Sequence, residues 1–151
     1  MKAIKWFAVL VAGYVIGCAT TEIKPVEIYN EDSCAQCKMA LSDQAFASEV
    51  VARDGLVYKF DDIGCMEKFT KNNPRIQAAA LFYKDFQSKQ WMKQADCVVI
   101  RTGIKTPMGS GKIAVKDSLE AERILKQYPV SQDLSENESG CGNDCCGSKE
   151  D

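Results

Sequence analysis

The chain of 151 residues contains no histidine. Any metal site it builds must therefore use sulfur, carboxylate or backbone ligands, which argues against imidazole-rich Cu(II) sites and catalytic zinc. It also lacks an excess of positive charge: 19 Lys and Arg stand against 21 Asp and Glu, a net charge of −2. Nucleic acid, whose binding rests on clustered cations, is excluded as a partner on that balance. The N-terminal apolar run, residues 6–16, is 11 residues long, about half of the roughly 20 that span a bilayer as a helix. It is an export signal rather than a membrane span. A second C-x-x-C is missing as well, so a zinc ribbon would lack half its ligands.

What is present begins with that signal. Lys2 and Lys5 precede the apolar run, and the run closes on Val15-Ile16-Gly17-Cys18, which resembles the lipobox of bacterial lipoproteins. In that reading, residues 1–17 are a signal peptide and Cys18 is the lipidated first residue of the mature chain, carrying acyl chains such as palmitate. Cleavage removes two lysines and no acid, taking the net charge from −2 to −4. The remaining 134 residues suffice for one domain or two small ones. The expected location is extracytoplasmic, on the cell membrane or outer membrane and facing the periplasm in a diderm. Ala19 after Cys18 leans towards the outer membrane.

Eight cysteines are many for this length, and an exported location favours disulfides. With Cys18 lipidated, seven remain. An odd count leaves at least one thiol free or paired outside the chain.

Residues 18–33 are polar and read as a tether between lipid and domain, with order beginning between residues 28 and 34. Residues 46–52 read as a strand, Asp54-Gly55 as a hairpin turn and residues 56–60 as the returning strand. Asp62 caps a helix running to about Asn72, with Ile63, Met66 and Phe69 or Thr70 on its apolar stripe and Pro74 beyond its end. Residues 78–85 supply another strand, completing a ββαβ unit. A second unit repeats the order with strands at 97–101 and 113–115 and a helix from Asp117 to Gln127. A shift of 55 residues superimposes Phe60 on Val115, Asp62 on Asp117 and Phe69 on Ile124. The expected fold is thus α+β, a domain over residues 34–128 made of two tandem ββαβ half-domains, about 34–86 and 87–128. Residues 129–151, rich in Gly, Ser, Asp and Glu, are expected to be disordered.

The chemistry concentrates in Cys34-Ala35-Gln36-Cys37-Lys38-Met39. Two thiols three residues apart can face one ion from a single loop, a thioether adds a soft neutral ligand, and soft sulfur selects Cu(I) over hard cations. Two other readings stay open: a redox pair, although this C-x-x-C precedes a hairpin rather than opening a helix, and a structural disulfide. Cys65 lies off the helical stripe, either as a small buried thiol or pointing to the Cys34 loop. Met66 fits the stripe as a core residue. Met108 stands in the turn-rich segment Thr106-Pro107-Met108-Gly109-Ser110-Gly111, where a ligand or lid role is as open as loop packing. That segment lacks the glycine and the hydroxyl residue of a phosphate loop, so it holds no nucleotide. Asp61-Asp62 has no accompanying acid, base or nucleophile, and reads as a turn and a helix cap. Trp91 and Met92 are expected to lead into the core of the second unit. Cys141, Cys145 and Cys146 form a C-x3-C-C in the tail, open to an auxiliary soft-metal arm, a disulfide cluster or neither.

These residues together resemble the NosL family of lipoproteins associated with nitrous oxide reductase assembly. The resemblance lies in Cys34-x-x-Cys37-x-Met39, Phe46, Asp54-Gly55, the run from Phe60 to Met66, Trp91 and the Pro107-Met108-Gly109 loop. It covers about residues 34–128; the family has Gly where this chain has Lys38. It implies a fold of two ββαβ units related to the organomercurial lyase MerB, and a Cu(I) chaperone rather than an enzyme, supplying copper to nitrous oxide reductase. Carried over by position, the metal ligands are Cys34, Cys37, Met39, Met66 and Met108, with Cys65 and the tail cysteines as auxiliary candidates. The alternative function is a thiol-disulfide oxidoreductase or redox sensor using Cys34 and Cys37.

Overall fold

The computed structural model describes residues 22–29 and 31–130. The signal segment, the lipidation site Cys18 and the tail with Cys141, Cys145 and Cys146 lie outside the described residues. Within them, β1 (Ser48–Ala52), β2 (Val57–Phe60), α1 (Ile63–Asn72), β3 (Ala78–Lys84) and β4 (Trp91–Lys93) come first, followed by β5 (Val98–Arg101), β6 (Lys112–Val115) and α2 (Ser118–Gln127). Among the described residues no helix is long and apolar enough to cross a membrane.

The first sheet is antiparallel in the order β2-β1-β3-β4. Gly55 takes φ +88° in the β1–β2 turn, a conformation that glycine adopts at little cost, and Asp54 Oδ1 accepts from Leu56 N. Strand β1 is central and every one of its residues is buried. Helix α1 starts where Asp62 accepts from Gly64 N, and it buries Ile63, Cys65 and Met66. Phe69 completes the stripe by packing its ring 4.9 Å from that of Tyr58 and 5.2 Å from that of Phe60.

The second sheet holds β5 and β6. A parallel bridge between Asp85 and Ala114, with Phe86 N donating to Ala114 O, joins it to the end of β3. Strand β6 is the wall between two cores, because side chains alternate across a strand. Ala114 belongs to the core with Cys34, Val50, Phe60 and Met66, whereas Ile113 and Val115 belong to the core with Phe46, Ala121 and Ile124. The 55-residue repeat is visible in the caps: Asp117 accepts from Glu120 N at the start of α2, as Asp62 does for α1. The second unit carries two strands and a helix among the described residues, and no strand follows α2 there.

Two segments depart from the sequence expectation. Trp91 and Met92 do not lead into the second core; they form β4 on the first sheet and pack against the first core. A three-residue strand is too short to display an alternation. The tether expected over residues 18–33 is also partly domain. Val26 N donates to both carboxylate oxygens of Glu49 at 3.0 and 3.2 Å, Glu27 O accepts from Lys59 Nζ, and Ile28 is buried in the first core. Glu49 is wholly buried, and burial raises its carboxyl above the ordinary range against the opposing bond from Val26. A polar-looking segment is thus ordered by backbone bonds to a buried acid, which its composition does not signal.

Candidate metal centre

The Cys34 loop is closed by its own backbone. Ser33 bridges Ala40, Cys34 N donates to Met39 O at 2.8 Å, and Lys38 N donates to Cys34 O at 2.9 Å. Turning back within so few residues puts Lys38 at φ +66°, the left-handed region that disfavours a side chain. Lys38 Nζ returns to Ala35 O. The loop is pinned to β2 by Ala35 N donating to Lys59 O. The result is that Cys34 points into the core, with 0% of its surface exposed, while Cys37 is half-buried.

Cys65 comes to the same place from the first turn of α1, and Asp61 from the residue that follows β2. The Sγ atoms of Cys34, Cys37 and Cys65 and a carboxylate oxygen of Asp61 all lie within 4.8 Å of one another. Among the described residues this is the group of side chains able to hold a metal ion. Cys37 Sγ donates to both oxygens of Asp61, at 3.6 and 3.8 Å. The cysteines are free thiols, so the C-x-x-C is not closed as a disulfide here.

Burial pushes the Cys34 thiol above its ordinary value, while the backbone N–H groups of Cys37, Asp61 and Gln36 favour its thiolate and the carboxylate of Asp61 opposes it. Cys65 is pushed up further, first by burial and then by the negative charge of Cys34, Asp61 and Cys37. Three sulfurs and a carboxylate so close together cannot all ionise in a buried setting without a compensating cation. A bound cation would supply it, and each thiol that became a ligand would give up its proton.

The methionines divide. Met66 is 2% exposed and belongs to the core that also contains Cys34 and Cys65, in keeping with its place on the apolar stripe. Met39 is 57% and Met108 42% exposed. Met108 shares with Cys65 and Gly64 the lining of a cavity of about 380 Å³. Its loop is fastened to α1 through Asp62, whose Oδ2 accepts from Thr106 Oγ1 and from Met108 N. A larger cavity, about 770 Å³, runs along α2 beside Lys116, Leu119 and Arg123 and holds no thiol. Cys97 is half-buried beside the first core, donates to Gln94 O and is not part of the cluster.

The cluster thus brings together Cys34 and Cys37 with Cys65, which the sequence offered only as auxiliary, and adds Asp61, which it did not single out as a ligand. One signal for Asp61 was available. A helix needs a single cap, Asp62 supplies it, and a second carboxylate between Phe60 and Ile63 must find another partner once the chain buries it.

Comparison with known proteins bears on this arrangement. The family model described as NosL matches residues 25–129. No curated protein matches by sequence. Among solved structures, the crystal structure of the copper chaperone NosL from Shewanella denitrificans is similar, with a TM-score of 0.60 and 16% identity over 70% of this chain and 87% of that one. At that identity the likeness is one of fold. The family match, by contrast, runs from Pro25 through the Cys34 loop, Asp61, Cys65 and the Met108 loop to Pro129, and on that extent the chain belongs to the NosL family.

Proposed function

We propose that the protein is a copper chaperone that binds Cu(I) at the Cys34, Cys37 and Cys65 cluster and hands it to a receiving protein. The observation that carries this is the approach of three thiol sulfurs and Asp61 to within 4.8 Å of one another, in a chain whose fold is similar to that of the copper chaperone NosL from Shewanella denitrificans. Thiolates suit Cu(I), which accepts two or three sulfur ligands and resists hard donors. Asp61 takes part as the acceptor of the Cys37 proton before metal arrives. Met108 lines the same cavity as Cys65, which supports a role for its thioether in engaging copper on the way in or out. A site with partly exposed sulfur exchanges its ion with a partner's ligands, whereas a closed four-ligand structural site resists exchange.

The finer parts of the proposal rest on the sequence. Lipid on Cys18 holds the domain at an extracytoplasmic membrane surface, and the client is nitrous oxide reductase during maturation. The oxidoreductase alternative is disfavoured by the complete burial of Cys34, because thiol exchange needs access to the attacked sulfur.

A Cu(I) competition titration against a chromogenic chelator under reductant tests the reading. The full chain is expected to hold Cu(I) tightly, and Cys34→Ser with Cys37→Ser to lose that affinity by at least about a hundredfold, as expected when first ligands are removed. Unchanged affinity in the double variant would sink the assignment. Zn(II) competition in the same assay distinguishes a soft monovalent site from a tetrahedral Cys3Asp zinc site. For the client, copper-loaded chain mixed with apo nitrous oxide reductase is expected to transfer its metal, and retention of copper by the chain would remove that partner.

A further inference from the structure

Helix α1 turns a polar stripe towards a cavity. Gly64, Glu67, Lys68 and Lys71 recur at helical spacing and so share one face, and all of them line the cavity of about 380 Å³ that also takes in Cys65 and Met108. From the second sheet the same cavity is lined by Arg101 of β5 and Lys112 of β6, which stand directly opposite each other in the β5–β6 ladder. Like charges so placed weaken a sheet rather than support it. The fold itself does not call for this pair. The lining as a whole gathers four cations against two carboxylates, Asp62 and Glu67.

Both carboxylates are already committed. Asp62 accepts from Gly64 N, Thr106 and Met108 N, and Glu67 is paired with Lys112. Lys68 and Lys71 are exposed, and among the described residues neither takes part in an ion pair. This cationic lining belongs to a chain whose net charge is −2. An acidic partner is thus attracted at the cavity and not by the chain as a whole, which orients its approach. The larger cavity along α2 has as many carboxylates as cations in its lining, and no thiol. A flat lipid surface does not enter a cavity that has Cys65 in its wall, whereas a protruding protein segment does.

We propose that this cationic cavity is the docking surface for the protein that receives Cu(I) from the cluster, and that this partner presents an acidic segment. Its carboxylates pair with Lys68 and Lys71 while its own copper-binding sulfur is brought to Cys65 and Met108. The proposal rests on the Cu(I) reading of the cluster and adds the chemical class of its partner. In the exchange, the Cu–S bond at Cys65 breaks as one forms to the partner's sulfur. The proton leaving the partner's thiol goes to the released Cys65 thiolate, copper stays at +1, and no oxidant or reductant is consumed. Charges at an exposed surface act on the rate of encounter more than on affinity, so docking is read in transfer rates.

Stopped-flow transfer under reductant, from the copper-loaded full chain to two synthetic peptides, tests it. The peptides share one C-x-x-C and differ in their flanks, aspartate-rich in one and lysine-rich in the other. The aspartate peptide is expected to take copper at least about tenfold faster at low salt. That advantage fades as ionic strength rises from about 0.01 to about 1 M and the Debye length shrinks from about 30 to about 3 Å. Lys68→Glu with Lys71→Glu is expected to reverse the order of the two peptides, whereas Lys116→Glu with Lys126→Glu, an equal change of charge beside α2, leaves it in place. Equal rates for the two peptides overturn the proposal, and an order that both double variants shift alike overturns its placement at this cavity. Sedimentation with phosphatidylglycerol vesicles that depends on Lys68 and Lys71, without selectivity between the peptides, assigns the lysines to a lipid surface and overturns the acidic protein partner. A chain that holds no Cu(I) at the outset overturns the reading of the cluster instead. The docking surface is then judged with cysteine-free versions of the peptides and the metal-free chain: the aspartate peptide is expected to shift the ε-methyl NMR resonance of Met108 and the lysine peptide to leave it, and a resonance that neither moves overturns the surface.

Discussion

Cys37 Sγ lies 3.6 Å from one carboxylate oxygen of Asp61 and 3.8 Å from the other, and donates its proton to them from a loop that is 24 residues away in sequence. The pair is what separates this site from a plain C-x-x-C. Asp61 holds an S–H in place before metal binds and becomes either a fourth ligand or an unengaged charge beside the ion afterwards. The two outcomes have different consequences for hard and soft metals. Asp61→Asn preserves the shape and removes the charge. It is expected to lower Zn(II) affinity by about tenfold or more, the usual effect of altering a group that supports a metal site, while changing Cu(I) affinity by less. Parallel competition titrations with the two metals measure both, and equal losses would show that Asp61 serves Cu(I) as directly as Zn(II).

Raised thiols make metal binding a proton-releasing event. Cys34 and Cys65 are both held protonated, chiefly by burial, so Cu(I) binding near neutral pH is expected to release about two to three protons, one for each thiol that becomes a ligand. Calorimetry in buffers of differing ionisation enthalpy counts them. Apparent affinity should then climb as pH rises towards the thiol range, and release of less than one proton would remove the thiols from the ligand set.

The same shifts fix the sign of a stability effect in the metal-free protein. A thiol whose value is higher in the folded state binds more protons folded than unfolded once pH passes its ordinary value of 9.0. The stabilisation is therefore fully present below about pH 9 and is lost as pH rises beyond it. Apo protein is expected to melt at progressively lower temperature between pH 8 and pH 10, with Cys97 contributing in the same direction because burial raises it too. Cys65→Ser should flatten that slope, which a series of melting temperatures across the interval would reveal.

The fold was legible where local chemistry dictates it. Asp54-Gly55, the caps Asp62 and Asp117 and the stripe Ile63, Met66, Phe69 each have a mechanism confined to a few neighbours, and each sits in the structure as its spacing implies. What escaped depends on distant partners. Ile28 is ordered because Val26 meets Glu49, and β4 exists because β3 offers it an edge. The site followed the same division. Cys34 and Cys37 were visible as a pair, whereas Cys65 and Asp61 join them only after β2 and α1 fold against the loop. Their sequence neighbours, Met66 and Asp62, were the ones whose helical roles could be read directly.

Lys38 sits at φ +66° in the loop that carries both cysteines, at the position where the family resemblance has glycine. A left-handed conformation costs a side chain roughly 1–2 kcal/mol, part of which is returned when glycine's greater unfolded-state freedom is counted. The contact from Lys38 Nζ to Ala35 O is exposed and worth little against this. Lys38→Gly is expected to stabilise the protein by up to about 1 kcal/mol, seen as a higher denaturation midpoint with an unchanged slope. Lys38→Val should do the reverse, because a branched side chain tolerates this conformation least.

Gly64 is the point where α1 touches the loop that carries Met108. A Cβ built there would lie 2.6 Å from Ser110 Cβ and 3.0 Å from Asp62 Oδ1, so any side chain must push the Met108 loop off the start of α1 or shift the cap. Gly64→Ala is therefore expected to destabilise the protein by about 1–3 kcal/mol, the common range for overpacking a close contact, despite alanine's better helix propensity. Because the displaced loop carries Met108 away from Cys65, Cu(I) exchange with a chelator should change along with stability. Ser110→Gly removes the opposing Cβ, and in the double variant it should restore a substantial part of the lost stability. Denaturation of the four proteins in the double-mutant cycle measures that coupling, and strict additivity would show that the clash is relieved elsewhere and that Gly64 does not set the spacing between α1 and the loop.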